Sequence, residues 1–214
     1  MDDRGLPLPL AANLLRRYAE PHRRYHDVLH LDTVLQHIEV LHELASDPTA
    51  VRLAAWFHDA IYDPERSDNE AASAALAELL LPANAFSVDQ TAEVARLVRL
   101  TATHEPCDGD LNGAVLCDAD LAILGSEPIS YLRYTQQIRA EYRHYDDVTF
   151  ALGRSQVLTA LLQQPQLFRT SIGIARWEAS ARRNITAELA DLAKIAASGG
   201  ATRPQSSESP TPGM

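Results

Sequence analysis

Trp56-Phe57-His58-Asp59-Ala60-Ile61-Tyr62-Asp63 is the stretch on which the reading of this 214-residue chain turns. It closes the most apolar run of the first half, which also holds Val51, Leu53, Ala54 and Ala55. No Gly or Pro interrupts the run, so it reads as a buried helix over residues 49–62, started by the break at Asp47-Pro48. An imidazole beside a carboxylate in such a helix is costly unless both are satisfied. Hydrogen bonds to neighbouring helices would satisfy them, and so would a shared metal ion. Adjacent helical residues point about 100° apart. One ion can take both only if the helix passes it tangentially and other segments supply the remaining ligands.

Working outward, the neighbouring segments also carry helical periodicity. Residues 8–20 place Leu10, Leu14, Leu15 and Tyr18 on one side, and Pro21 stops them. The stretch 20–30 holds His22, His26 and His30 with Arg23 and Arg24 in no clean period, and reads as an ordered loop or single turn. Asp32 or Thr33 is a candidate cap for a helix to Leu44, with Leu31, Val34, Leu35, Ile38 and Leu41 as its stripe. Further helices are expected over 69–81 (Leu76, Leu79 and Leu80 inward, Pro82 ending it), 87–103, 113–124, 128–144, 148–163 and 174–196. No segment alternates long enough to read as a strand. The expected fold is all-α, one domain over 1–196, with a disordered tail over 197–214 rich in Gly, Ser, Pro and Thr.

Composition narrows the function. A net charge of −10 argues against binding long nucleic acids, though not against a local anion site. Cys107 and Cys117 are too few for a disulfide framework. No apolar run approaches the ~20 residues needed to span a membrane, and the acidic start does not read as a signal peptide, so the expected location is the cytoplasm.

Imidazoles and carboxylates stand out in apolar or aromatic settings at His26 or His30, at His58 and Asp59, and at Asp118 or Asp120. Such a mixed set suits a divalent ion among Mn, Mg, Co, Ni, Fe and Zn. An ion of this kind activates water and polarises a phosphoryl or carbonyl oxygen.

The strings Tyr18-Ala19-Glu20-Pro21-His22-Arg23-Arg24-Tyr25-His26, Phe57-His58-Asp59-Ala60-Ile61-Tyr62-Asp63, Asp68-Asn69-Glu70 and Asp118-Ala119-Asp120-Leu121 carry a resemblance. Ile138-Arg139-Ala140-Glu141-Tyr142 and Ala181-Arg182-Arg183-Asn184 extend it, over residues 14–195. Together they resemble the HD-domain superfamily, and within it a bacterial subfamily described as predicted metal-dependent HD phosphohydrolases. The resemblance implies a helical bundle around a divalent ion. It implies His30 as first ligand, with His26 the alternative, then His58 and Asp59. The Ala-Asp-apolar pattern maps the last ligand to Asp120, leaving Asp118 to support it or to meet a helix N-terminus.

The implied reaction is hydrolysis of a phosphoester or phosphoanhydride in a small molecule, a nucleotide among the candidates, by water that the ion activates. Asp63, one helical turn beyond Asp59, is the expected base or water-orienting group, with Glu70 next. Arg23, Arg24, His104, Arg139 and Arg154 are the candidates for holding phosphate. Two further readings stay open: an HD-type di-iron oxygenase, with His26 and His104 helping to hold a second ion, and a metal-binding regulatory module without catalysis. Plainer roles compete at several positions. A lone buried His is more often a bonded core residue than a ligand, and His37, His42 and His144 read as surface residues. His104 suits a helix C-terminus, Tyr25 and Tyr62 read as packing residues, and Arg182-Arg183 as solvated charge or dipole partners.

Overall fold

The computed structural model describes residues 6–200, and every regular element among them is helical. Helices α1 (Leu8–Tyr18), α2 (Val28–Leu41), α3 (Pro48–Phe57), α4 (Asn69–Ala83), α5 (Val88–Leu100) and α6 (Leu111–Leu121) enclose one apolar core. Helices α7 (Pro128–Glu141), α8 (Asp147–Gln163) and α9 (Ala179–Gly200) enclose a second with Leu124, Leu167 and Phe168. Trp177 packs against both. No helix among the described residues is long and apolar enough to cross a membrane.

Local signals set most helix starts. Asp47 accepts from Ala50 N ahead of Pro48, and Ser87 with Gln90 forms a reciprocal capping box on α5. Asp110 accepts from Gly113 N, where a Cβ would come within 2.3 Å of the same carboxylate, so only glycine fits. The cap of α2 is Asp27, which accepts from Leu29 N and His30 N. This corrects the expected start at Asp32 or Thr33 and places His30 inside the first turn.

Several expected boundaries move. Pro82 lies inside the last turn of α4, and Leu79, expected inward, is exposed; Ala74, Ala77 and Leu81 hold that contact instead. The last helical stretch begins earlier than residue 174, with a turn at Ser171–Gly173 and a wide π turn at Ile174–Glu178. It also runs past residue 196 to Gly200, so the first residues of the expected tail are helical and the remainder, 201–214, lies outside the described residues. His37 is half-buried against Trp177, with Nδ1 on the Ala119 carbonyl, rather than facing solvent. Arg182 meets the Leu162, Gln164 and Pro165 carbonyls at the end of α8, in keeping with the dipole role.

Asp118 ties the two cores together. From α6 its carboxylate accepts from Arg169 N (2.7 Å), Thr170 N (2.8 Å) and Thr170 Oγ1 (2.7 Å), at the start of the last helical stretch. Burial pushes its carboxyl upward. Asp118→Ala would leave those donors facing a void, and we expect a loss of at least about 3 kcal/mol of stability. Ser87→Ala, at a solvent-facing cap, should cost only about 1 kcal/mol. Urea unfolding of both variants checks the ranking, and equal losses would contradict it.

Candidate metal centre

The helix α3 stops at Phe57, not at residue 62. Side chains from elsewhere take the backbone groups that would have continued it. The buried Arg23 guanidinium donates to the carbonyls of Asp59 (2.7 Å) and Ala60 (3.3 Å). Ser73 Oγ bonds both backbone groups of Ile61, His22 Nε2 donates to the Tyr62 carbonyl, and Asn69 bonds both backbone groups of Asp63. His58 still has helical backbone angles (φ −55°, ψ −42°) and donates its N–H to the Ala54 carbonyl at 2.8 Å, so the helical path ends just beyond it, where Asp59 N donates to the Tyr18 hydroxyl at 3.3 Å.

Both side chains meet His30 from α2 and Asp120 from α6. His30 Nε2 lies 3.1 Å from His58 Nε2, 3.4 Å from Asp59 Oδ2 and 3.2 Å from Asp120 Oδ1. His58 Nε2 lies 3.1 Å from Asp59 Oδ2 and 3.6 Å from Asp120 Oδ1. Ligand atoms about 2.1 Å from one ion stand roughly 3.0 Å apart at right angles and roughly 3.4 Å apart tetrahedrally. The observed separations fit that range, and His30, His58 and Asp120 form a set that could hold a metal ion, with Asp59 beside them. A backbone carbonyl fixes the orientation of the His58 ring. Its Nδ1 donates to the Ala55 carbonyl at 2.7 Å, which directs the Nε2 lone pair into the cluster.

The four groups fix one another's charge. Burial disfavours every charged form, yet the opposite charges outweigh it. The carboxyls of Asp59 and Asp120 sit well below the usual carboxylate range beside His58. The imidazolium of His58 is held well above its usual range by Asp59, and that of His30 is raised by its hydrogen bonds to Asp120 and Asp59. A divalent cation would replace two protons among the same four groups.

A cavity of about 480 Å³ opens in front of Asp120, with Tyr25, His26, His104, Tyr134 and Arg154 among its walls. His104 donates from Nε2 to Asp120 Oδ2 at 2.9 Å and adopts the left-handed backbone region (φ 54°), uncommon outside glycine, which aims its ring inward. His26 donates from Nδ1 to Glu141 Oε2 at 2.7 Å and stacks on Tyr62. Arg154 is tied to Glu188 and to the Tyr134 hydroxyl through Nε and Nη2, so Nη1 is the guanidinium nitrogen left for a ligand.

The remaining expected site residues are placed elsewhere. His26 lies outside the group of ligand atoms that converge, with its Nδ1 on Glu141, and Asp118 faces Arg169 and Thr170. Asp63 is not one helical turn beyond Asp59, since the helix has ended; it accepts from Glu65 N and lines a separate cleft with Glu20 and His22. Glu70 sits in the first turn of α4, not in the cluster. Arg23 is consumed in holding the 59–60 turn, and Arg139 holds Asp147 and the carbonyls of Tyr142 and Tyr145. Arg24 is exposed, and among the described residues its guanidinium bonds the Arg23 carbonyl, at 3.5 Å.

Glu141 is the residue that sequence reasoning missed. It receives Arg24 N, Tyr25 N and His26 N on Oε1, and His26 Nδ1 and the Tyr62 hydroxyl on Oε2. A signal was present. Tyr131, Tyr134 and Ile138 form the inward stripe of α7, and Glu141 is its next member, an acid on an apolar face.

No protein-family model, curated protein or solved structure matches this chain.

Burial pushes the Glu141 carboxyl up, but His26 and the backbone N–H groups of Arg24 and Tyr25 pull it down to about 2, against an ordinary 4.5. Because the folded value is the lower one, its contribution is complete above pH 4.5 and is lost as pH falls toward about 2. Replacing the acid by its amide removes that titration. The stability gap between wild type and Glu141→Gln should therefore shrink by about 3 kcal/mol across this window. Urea unfolding at stepped pH measures it, and a constant gap would refute the assignment.

Proposed function

We propose that this chain is a metal-dependent phosphohydrolase of the HD type, acting on a small phosphorylated molecule. The observation that carries the reading is the convergence of His30, His58, Asp59 and Asp120 from separate segments onto one point beside an open cavity. A divalent ion held there would supply Lewis acidity toward a phosphoryl oxygen and toward water.

The chain's own residues divide the rest of the work. Arg154 borders the cavity as a donor for phosphate oxygens, and His104 beside it holds Asp120. His26 lines the same cavity with Nδ1 fixed on Glu141, so its Nε2 is the nitrogen available to pass a proton to a departing oxygen. Tyr62 and Glu141 hold that ring in place from behind. Asp63 and Glu70 have no part in this arrangement. Water is kept from the buried side by Tyr25, whose ring lies 4.8 Å from His30 and 4.6 Å from Tyr134.

One observation favours a second reading. His104 adds an imidazole to the far oxygen of Asp120, so that this carboxylate has nitrogen partners on both oxygens. A bridged pair of irons and oxygen chemistry would use that arrangement. Metal content separates the two.

Protein purified without chelator should carry about one divalent ion per chain by elemental analysis, and His58→Ala should lose it. Phosphate release from a phosphomonoester panel should then depend on that ion. Two irons per chain without phosphate release would support the second reading, and no metal after reconstitution would remove the basis of both. In the active protein, His26→Ala should lower kcat about 100-fold or more while retaining metal. Asp63→Ala should leave kcat within about threefold; a large loss there would restore it as the base.

A further inference from the structure

The helix α8 carries apolar side chains in excess of what its packing uses. Ala151 and Leu158 face the second core and Phe150 packs half-buried against it, while Leu152 and Val157 are 53% and 55% exposed. Between them stands Gly153, in the middle of the helix. Glycine there costs about 1 kcal/mol relative to alanine. Packing does not require it, because a Cβ at this position would meet nothing within 4 Å. What adjoins it is a cavity of about 510 Å³ whose walls include Tyr134, Tyr142, Tyr145 and Phe150.

This cavity adjoins the one before Asp120. The two share His26, Tyr134, Arg154 and Val157. A ligand straddling that border would place one end near the His–Asp cluster and the other on the glycine face. The chemistry of the far end is aromatic. Tyr142 lies 6.1 Å from Phe150, and the Arg154 guanidinium lies 5.3 Å from the Tyr134 ring centroid. Rings and a guanidinium plane favour a flat π-system through stacking and cation–π contact. An alkyl chain would gain burial but none of the stacking.

We propose that the Gly153 face of α8, with Tyr134, Tyr142 and Phe150, is a subsite for a planar ring carried by the phosphorylated substrate, so that the chain prefers phosphate esters of ring-bearing alcohols such as nucleosides. The preference for esters rests on the phosphohydrolase reading, whereas the ring subsite stands on its own geometry. The missing side chain at 153 is the space into which the ring fits.

The test fills that space. Gly153→Leu adds a side chain where the helix has room and raises helix propensity, so its melting temperature should equal or exceed that of the wild type. Adenosine, which lacks phosphate, should bind the wild-type chain in calorimetry, and Gly153→Leu should weaken that binding at least about 10-fold, or 1.4 kcal/mol. Phe150→Ala should weaken it in the same direction. The kcat/KM ratio for adenosine 5′-monophosphate over glycerol phosphate should fall at least about 10-fold in Gly153→Leu. Failure of adenosine to bind, binding indifferent to Gly153→Leu, or equal binding of octanol would overturn the subsite. Gly153-dependent adenosine binding without phosphate release would uphold the subsite and sink the hydrolase reading. Phosphate release with no preference for the ring ester would do the reverse.

Discussion

A single buried guanidinium fastens the end of α3 to the loop that leads into His30. The chain spends Arg23 on the carbonyls of Asp59, Ala60 and His26, at 2.7, 3.3 and 2.9 Å. Those carbonyls would otherwise seek helical partners, and α3 would run on through its apolar residues. His58 is the last residue on the helical path and Asp59 the first beyond it, and Nε2 of one and Oδ2 of the other come to 3.1 Å. The same guanidinium joins the 20–26 loop to the end of α3, so the segment that leads into His30 and the segment that bears His58 are held by one side chain. A lysine could not replace it, having neither the fork of donors nor the planar face that lies against the Tyr18 and Tyr62 rings.

Glu141 makes the complementary contribution from the other core. Its two oxygens gather the backbone of residues 24–26 and the ring of His26, and so bind the loop to α7. A carboxylate buried this deeply is tolerated only because donors surround it. The cluster of His30, His58, Asp59 and Asp120 obeys the same rule with charges instead of amides. Each buried charge is held by an opposite one, which makes the site a poor place for an apolar ligand and a suitable one for a cation. The cavity side differs in kind, being walled by tyrosines, Phe150 and the arginine that Glu188 holds.

The helical class and the interior faces of α1, α2, α3 and α5 were readable because burial on one side of a helix leaves a periodic trace. Candidates for the cluster were readable for the opposite reason: polar groups in apolar runs stand out against that trace. The residues alone left His26 or His30 and Asp118 or Asp120 open, and only the family resemblance favoured His30 and Asp120. What could not be read were the interactions that cut across the periodic trace. The turn after α3 is held by Arg23 and His22, far back in sequence, and by Asn69 and Ser73 of the next helix, none periodic with it. Asp63 looked aligned with Asp59 only on the assumption of an unbroken helix. Arg139 looked free because its partners, Asp147 and two carbonyls, lie across a turn. Leu79 was expected inward because it is large, but α4 packs closely through Ala74 and Ala77, and small residues carried the contact.

Asp118 and Asp120 show how one helix can serve two ends. Residues two apart on a helix point about 200° apart. From α6, Asp120 therefore faces the imidazoles, while Asp118 faces the N–H groups at the start of the last helical stretch. The second of these contacts is close enough that residue 173 must be glycine, since a Cβ there would lie 2.3 Å from the Asp118 carboxylate. So α6 is a strut between the cores, with a carboxylate at work on each side. The cluster lies where the cores meet and draws its side chains from α2, α6 and the end of α3, while Tyr134 and Arg154 of the second bundle wall the adjoining cavity. Anything that loosens the Asp118 contact must also shift Asp120 relative to Arg154 and Tyr134. Stability of the seam and geometry of the site are for that reason one property of this fold.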